Sequence, residues 1–176
     1  MRFVLACVAV LTLLAAPAAV FAQDTPSGLP LPRFSSTRSE PINVRVGPGT
    51  KYEIAWTFLK AGVPVEIIQE FDTWRKIRDV EGEEGWVHQN LLGGTRAGYV
   101  APVMANAPVE LRADRSDAAR TNATLGPGLR VLIQSCDGEW CEVTASDGTV
   151  SGRAPTYTGY VHQEELWGVY PEEVFN

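Results

Sequence analysis

The chain repeats itself once, and the repeat is long enough to be a folded unit. The segment Gly85-Trp86-Val87-His88-Gln89 returns as Gly159-Tyr160-Val161-His162-Gln163. Six other positions recur at a constant offset of 66 with the same or a similar side chain: Leu59, Gly62, Val65, Ile67, Trp74 and Ile77 match Leu125, Gly128, Val131, Ile133, Trp140 and Val143. A period of this length predicts two related small domains in tandem.

Short segments that alternate apolar and polar residues fill the first copy, which predicts strands. Segments 42–46, 63–67, 74–78 and 85–87 have this pattern, and turns containing Gly or Pro separate them. No apolar stripe with helical spacing runs for more than a turn or two, so we predict an all-β fold class. The expected cores are Leu59, Val65, Ile67, Ile77 and Val87 in the first copy, and Leu125, Val131, Ile133, Val143 and Val161 in the second.

The N-terminal residues indicate export. Residues 1–22 contain Arg2, an apolar stretch and small residues before Gln23, which predicts a cleaved signal peptide; a retained membrane anchor is the alternative. Residues 23–37 are rich in Pro, Gly, Ser and Thr and are expected to be a flexible leader. The predicted domains are 38–94 and 98–170, with a tail at 171–176.

Charge and hydropathy restrict the partners. The formal net charge is −6, and a repulsive field of this sign argues against a nucleic-acid partner. No second apolar run is long enough to span a bilayer. We therefore expect a periplasmic or secreted protein with no stable membrane insertion after cleavage.

One run of residues carries a resemblance. Residues 42–52 read Ile-Asn-Val-Arg-Val-Gly-Pro-Gly-Thr-Lys-Tyr, and Leu-Lys-Ala-Gly, a Trp-x-x-Ile step and Gly-Trp-Val follow. This pattern resembles a bacterial SH3 domain of the periplasmic type, strongly over residues 33–92 and more weakly over 99–166, where Ala113-Asp114-Arg115-Ser116 replaces Val-Gly-Pro-Gly. The resemblance implies two tandem small SH3-like β-barrels that serve as a binding or targeting module in the cell envelope.

Two cysteines of the second copy flank a turn. Cys136 and Cys141 surround Gly138, and in an exported protein we expect them to form a hairpin disulfide. Simple alternation places Cys136 on the outer face and Cys141 on the inner face, so the pairing requires a β-bulge, expected near Gly138. Because the closed loop is short, the disulfide should stiffen the hairpin locally more than it stabilises the whole chain.

Aromatic side chains are the candidate ligand-binding residues, since they supply contact area for sugar rings or peptide side chains. They are Tyr52, Trp56, Trp74, Trp86, Tyr157 and Tyr160. The first copy is expected to be the better binder, because it keeps the full opening turn and has no disulfide. We predict a non-catalytic protein that recognises peptidoglycan or an envelope protein and needs no metal or cofactor.

Two alternatives remain at this point. His88 and His162 occupy matched positions, and duplicated positions usually serve the fold, but a degenerate Cys/His cell-wall hydrolase would also use a histidine. The two histidines lack a third ligand for zinc. A structural envelope protein that self-associates is the second alternative, and the oligomeric state and the ligand are open.

Overall fold

The structure is a computed structural model that describes residues 25–100, 107–146 and 155–176. The predicted signal peptide lies outside these residues. The strands of the first unit are β1 (Arg33–Thr37), β2 (Ile42–Arg45), β3 (Ile54–Phe58), β4 (Pro64–Phe71), β5 (Trp74–Arg78), β6 (Glu84–His88) and β7 (Leu92–Gly93), with a 3₁₀ helix at Gln89–Leu91. Those of the second unit are β8 (Ala97–Val100), β9 (Val109–Arg112), β10 (Thr121–Leu125), β11 (Arg130–Asp137), β12 (Trp140–Ser146), β13 (Thr156–His162), β14 (Leu166–Trp167) and β15 (Val174–Phe175), with a 3₁₀ helix at Gln163–Glu165.

Both units form antiparallel sheets of the same topology. The strand order is β3-β2-β6-β5-β4-β1-β7 in the first sheet and β10-β9-β13-β12-β11-β8-β14 in the second, where β15 also pairs with β11. Each strand of the first unit therefore has a counterpart seven strands later. The prediction of an all-β chain with two duplicated units is confirmed.

Each unit has its own apolar core. The first contains Ile42, Val44, Val65, Ile67, Ile77, Val87 and Leu92, and the second includes Leu111, Leu125, Val131, Ile133, Val143 and Val161. One expected core residue is wrong: Leu59 is 77% exposed. Strand β3 ends at Phe58, so Leu59 lies in the following turn, whereas its match Leu125 is still inside β10 and pairs with Val109.

The predicted flexible leader over residues 23–37 includes residues that form a strand. Residues 33–37 form β1, which pairs with both β4 and β7. Thr37 is buried, and its backbone N–H donates to the Val63 carbonyl at 2.9 Å, just as Val100 of β8 donates to Leu129 at 2.9 Å. The prediction of a leader over 23–37 is therefore wrong for its last five residues, because composition does not reveal pairing with a strand about 30 residues away.

The disulfide is confirmed, and its geometry explains the alternation conflict. Cys136 and Cys141 are directly opposite on β11 and β12, with Cα atoms 4.1 Å apart. Both are buried. The β-bulge lies between Ile133 and Ser135, four residues before the expected position, and it turns Cys136 inward ahead of the hairpin.

The two units contact each other through β1 and the C-terminal segment. Phe34 packs against the rings of Trp167 and Tyr170, with centroids 5.1 and 4.8 Å away. The Tyr170 hydroxyl donates to Glu66 Oε1 at 2.7 Å, and the Ala97 N–H donates to Ser36 Oγ at 3.2 Å. The short link between the units predicts such a contact.

Candidate functional site

An aromatic ring between two cations lies on the outer face of the first sheet. Strand alternation buries Gly85 and Val87 and leaves Trp86 partly exposed on the opposite side of β6. In the sheet register Trp86 is directly opposite Arg45 of β2 and Lys76 of β5. These three side chains form one row across neighbouring strands.

The loop after β2 brings Tyr52 to the same region. Arg45 Nη1 donates to the Tyr52 carbonyl at 2.6 Å, which supports the structural hydrogen-bonding role expected from the recurrence of this arginine as Arg112. The ring of Tyr52 lies directly over Gly47, where an added Cβ would come within 2.6 Å of the ring. Gly47 is therefore required for this close approach. We call Arg45, Tyr52, Lys76 and Trp86 the Trp86 face.

Further charges adjoin the Trp86 face. Lys51 Nζ lies 5.3 Å from the centroid of the Tyr52 ring, a cation–π distance. Lys76 Nζ donates to Glu84 at 2.5 Å, and this hydrogen bond lowers the pKa of the Glu84 carboxyl. The face thus combines flat apolar surface with positive charge, which suits a ligand that has both rings and anionic groups.

The second unit presents a different version of this surface. Tyr160 takes the place of Trp86 and is opposite Arg112 and Glu142, so a carboxylate replaces the Lys76 cation. Asp117 Oδ1 lies 3.0 Å from His162 Nε2 and 3.7 Å from Arg112, and the hydrogen bond to His162 lowers the pKa of the Asp117 carboxyl. In the second unit, the carboxylates of Glu110 and Asp117 therefore pair with Arg112.

Two candidate aromatics do not belong to either surface. Trp56 is opposite Val44 and packs against the core, and its buried Nε1 has no acceptor among the described residues. Tyr157 is opposite Ala145 and is 41% exposed, but it lies three residues from Tyr160 and thus on the other side of β13. The sequence spacing did not distinguish these positions.

Trp74 and the two histidines form repeated cross-strand pairs. Trp74 is opposite His88, with an edge-to-face ring contact at 5.5 Å, and Trp140 is opposite His162, with ring centroids 3.8 Å apart. His88 Nδ1 also accepts from the Asn90 N–H at 3.3 Å at the start of the 3₁₀ helix. These contacts support the interpretation of both histidines as scaffold residues, and they place Trp74 beside the Trp86 face.

Within residues 25–100, 107–146 and 155–176, no cluster of three or more His, Cys, Asp or Glu side chains could hold a metal ion. In the same part of the chain, no helix has the length and apolar character needed to cross a membrane.

Comparison with a family profile agrees with the duplicated fold. No curated protein matches the chain. Two solved structures from Trichomonas vaginalis, NlpC1 and NlpC2, each share 14% identity with it and cover 77% of its length, with TM-scores of 0.30 and 0.31. The chain spans about half of those proteins, 45% and 48% respectively. The family profile for the bacterial SH3 domain matches twice, over residues 38–94 and 105–168. Because these matches cover most of the sequence and coincide with the two sheets, the chain belongs to the bacterial SH3 domain family, with two copies in tandem.

Proposed function

We propose that this protein is a non-catalytic module of the cell envelope that binds peptidoglycan through the Trp86 face. The row of Arg45, Trp86 and Lys76 across three neighbouring strands is the observation on which the proposal rests. The family membership and the buried disulfide support an extracellular or envelope location.

The chemistry of peptidoglycan suits this surface. Its sugar rings offer flat faces that stack on an indole, and its peptides carry carboxylates that pair with guanidinium and ammonium groups. The second unit offers a smaller ring and carboxylates in the same places, so we expect the first unit to supply most of the affinity.

A sedimentation assay with isolated peptidoglycan tests the proposal. We expect Trp86→Ala to weaken binding at least about tenfold, because truncation of a central aromatic anchor costs about 2 kcal/mol or more. Tyr160→Ala is the matched control, since it removes the equivalent ring from the second unit, and it should retain most of the binding. If Trp86→Ala protein sediments with peptidoglycan as well as the unaltered protein, the Trp86 face is not the site.

The Cys/His hydrolase alternative requires a thiolate nucleophile. Cys136 and Cys141 are joined to each other in a buried disulfide, so neither sulfur is a free thiolate in this structure. Titration of the unreduced protein with a thiol reagent separates the two functions: the binding module predicts no reactive thiol after export. Sedimentation velocity at several concentrations tests the self-association alternative, and a stable monomer would remove it.

A further inference from the structure

A groove of about 530 Å³ lies at the end of the first unit, away from the Trp86 face. Four arginines line the groove: Arg33, Arg38, Arg75 and Arg96. None of its lining residues is acidic. The remaining lining is uncharged and mixes polar with apolar residues: Ser27, Ser35, Gln89, Asn90, Gly93 and Gly94 beside Leu29, Phe34, Ile67 and Leu92. We call this cavity the arginine groove.

The positive charge around the groove exceeds the negative charge. Glu70 lies beneath it and pairs with both Arg33, at 2.5 Å, and Arg75, at 3.1 Å. Arg96 pairs with Glu173 at 2.9 Å. Two carboxylates, those of Glu70 and Glu173, thus form ion pairs with three of the four guanidinium groups. The whole chain, in contrast, has a net charge of −6. A local excess of this sign in an acidic protein favours an anionic ligand.

Two of the arginines have donors to spare. A guanidinium has five N–H groups. Arg33 uses two of its donors in hydrogen bonds, to the Pro30 carbonyl and to Glu70. The exposed Arg38 side chain has no acceptor among the described residues, and it lies over Gly93, where its Nε is 3.3 Å from the position of an added Cβ. The groove therefore offers a guanidinium fork that is not occupied within the described part of the chain.

The fold requires only part of this arrangement. Glu70 and Arg75 are directly opposite on β4 and β5, in the positions that Cys136 and Cys141 occupy on β11 and β12. Their ion pair thus holds the first hairpin where a disulfide holds the second. Arg38 lies outside this pair, and its charge stabilises nothing that the structure shows.

We propose that the arginine groove binds the carboxylate of an acidic peptide segment, with Arg38 as its main contact. A guanidinium fork matches a carboxylate in a bidentate geometry. The side-chain amides of Gln89 and Asn90 supply groups that can pair with peptide N–H and C=O. This site is separate from the Trp86 face and does not depend on the function proposed for that surface.

An NMR titration of the purified protein tests this site. The probe is N-acetyl-triglutamate amide, followed through the backbone amide signals of Asn90, Gly93 and Gly94. N-acetyl-triglutamine amide and inorganic phosphate, at the same ionic strength, are the comparison ligands. Arg38→Gln is the test variant, and Arg120→Gln, which removes an exposed arginine from the second unit, is the matched control.

We expect the triglutamate peptide to shift the three amide signals, and we expect Arg38→Gln to weaken its binding by about tenfold or more, as loss of a charge-assisted hydrogen bond does. Arg120→Gln should bind the triglutamate peptide as tightly as the unaltered protein does. The triglutamine peptide should not shift the three amide signals of the unaltered protein. The proposal is overturned if the peptide shifts none of these signals, or if the two variants weaken binding equally. It is also overturned if phosphate reproduces the shifts at the same concentration, which would identify a site for small anions. Two further readouts separate this site from the Trp86 face. Amide signals far from the groove should be the same in Arg38→Gln and in the unaltered protein, and Arg38→Gln should bind peptidoglycan as the unaltered protein does.

Discussion

Replacement of Glu70 by Gln should strongly destabilise the first unit, because this carboxylate is buried with two arginines. The Glu70 side chain is 0% exposed and accepts three hydrogen bonds: from Ser27 N at 2.8 Å, Ser27 Oγ at 2.7 Å and Arg33 Nη2 at 2.5 Å. It also forms an ion pair with Arg75 Nε at 3.1 Å. Glutamine keeps the shape and removes the charge. Two arginines would then have no counter-charge in a mostly buried place.

Loss of one partner from a buried ion pair costs about 3–5 kcal/mol. We expect about 3 kcal/mol here, the lower end of that range, because the Arg33 side chain keeps 18% of its surface in contact with water. Urea unfolding at pH 7, followed by tryptophan fluorescence, measures the change in the free energy of unfolding. Glu84→Gln is the matched control, since Glu84 is exposed and pairs with a single lysine, and it should change the midpoint little.

The pH dependence gives the same hypothesis an independent check. Burial alone raises the pKa of the Glu70 carboxyl, but the hydrogen bonds from Ser27 and Arg33 outweigh burial and hold the pKa below its ordinary value. Because the folded pKa is lowered, this contribution is fully present above the unfolded pKa of about 4.3 and is lost as the pH falls through the folded pKa. The stabilities of the unaltered protein and Glu70→Gln should therefore converge in acid.

Two results would refute this reasoning. One is a loss of stability in Glu70→Gln no larger than that in Glu84→Gln, which would mean that water already screens the Glu70 carboxylate. The other is a difference between Glu70→Gln and the unaltered protein that stays constant down to pH 2, which would assign the effect to packing.

Two further predictions concern the second unit and the contact between the units. Substitution of both Cys136 and Cys141 by Ser should lower the free energy of unfolding by about 2 kcal/mol, because the disulfide closes a short loop. Reduction of the unaltered protein should produce the same change in urea unfolding, and an unchanged midpoint would contradict the prediction. Burial, followed by the hydrogen bond to Glu66, raises the pKa of the Tyr170 hydroxyl above its ordinary value of 10.0. The absorbance at 295 nm, which reports tyrosine ionisation, should therefore be the same for the unaltered protein and Tyr170→Phe up to about pH 11. If one more tyrosine ionises near pH 10 in the unaltered protein than in Tyr170→Phe, the hydrogen bond between Tyr170 and Glu66 is not formed in solution.

The repeat and the strand alternation were sufficient to predict an all-β chain of two duplicated units, and the resemblance to a bacterial SH3 domain supplied the SH3-like fold. Alternation also separates Arg75, which is buried, from its neighbours Lys76 and Arg78, which lie on the outer face. These features are local, because side-chain direction along a strand follows from the backbone once the strand is recognised. The disulfide was predictable from the closeness of its partners, which are only five residues apart, although simple alternation opposed it.

The other errors and omissions concern strand ends, strand register and partners distant in the sequence, and Leu59 is an example of the first. Trp56 faces the core because β3 pairs with β2 in a register that sets it opposite Val44, and the intervening loop does not specify that register. The arginine groove collects residues from β1, β5, the 3₁₀ helix and the segment before β8, which no spacing in the sequence connects. Residues 33–37 look like a leader because their pairing partners lie in β4 and β7.

The asymmetry between the two copies has a common physical origin at equivalent positions. A bulge between Ile67 and Gln69 matches the one between Ile133 and Ser135, so in both hairpins the second cross-strand pair after the bulge faces inward. In the second unit that pair is a disulfide, which carries no charge and needs no counter-ion. In the first unit it is Glu70 with Arg75, a charged pair that requires polar neighbours, and Ser27, Arg33 and Gln89 supply them. The inward ion pair therefore places charge and its polar partners at this end of the first barrel, whereas the disulfide places no charge at the equivalent position, where β15 pairs with Cys136. Arg33 and Arg75 of the arginine groove belong to this arrangement, so the two domains share a topology but differ as binding surfaces.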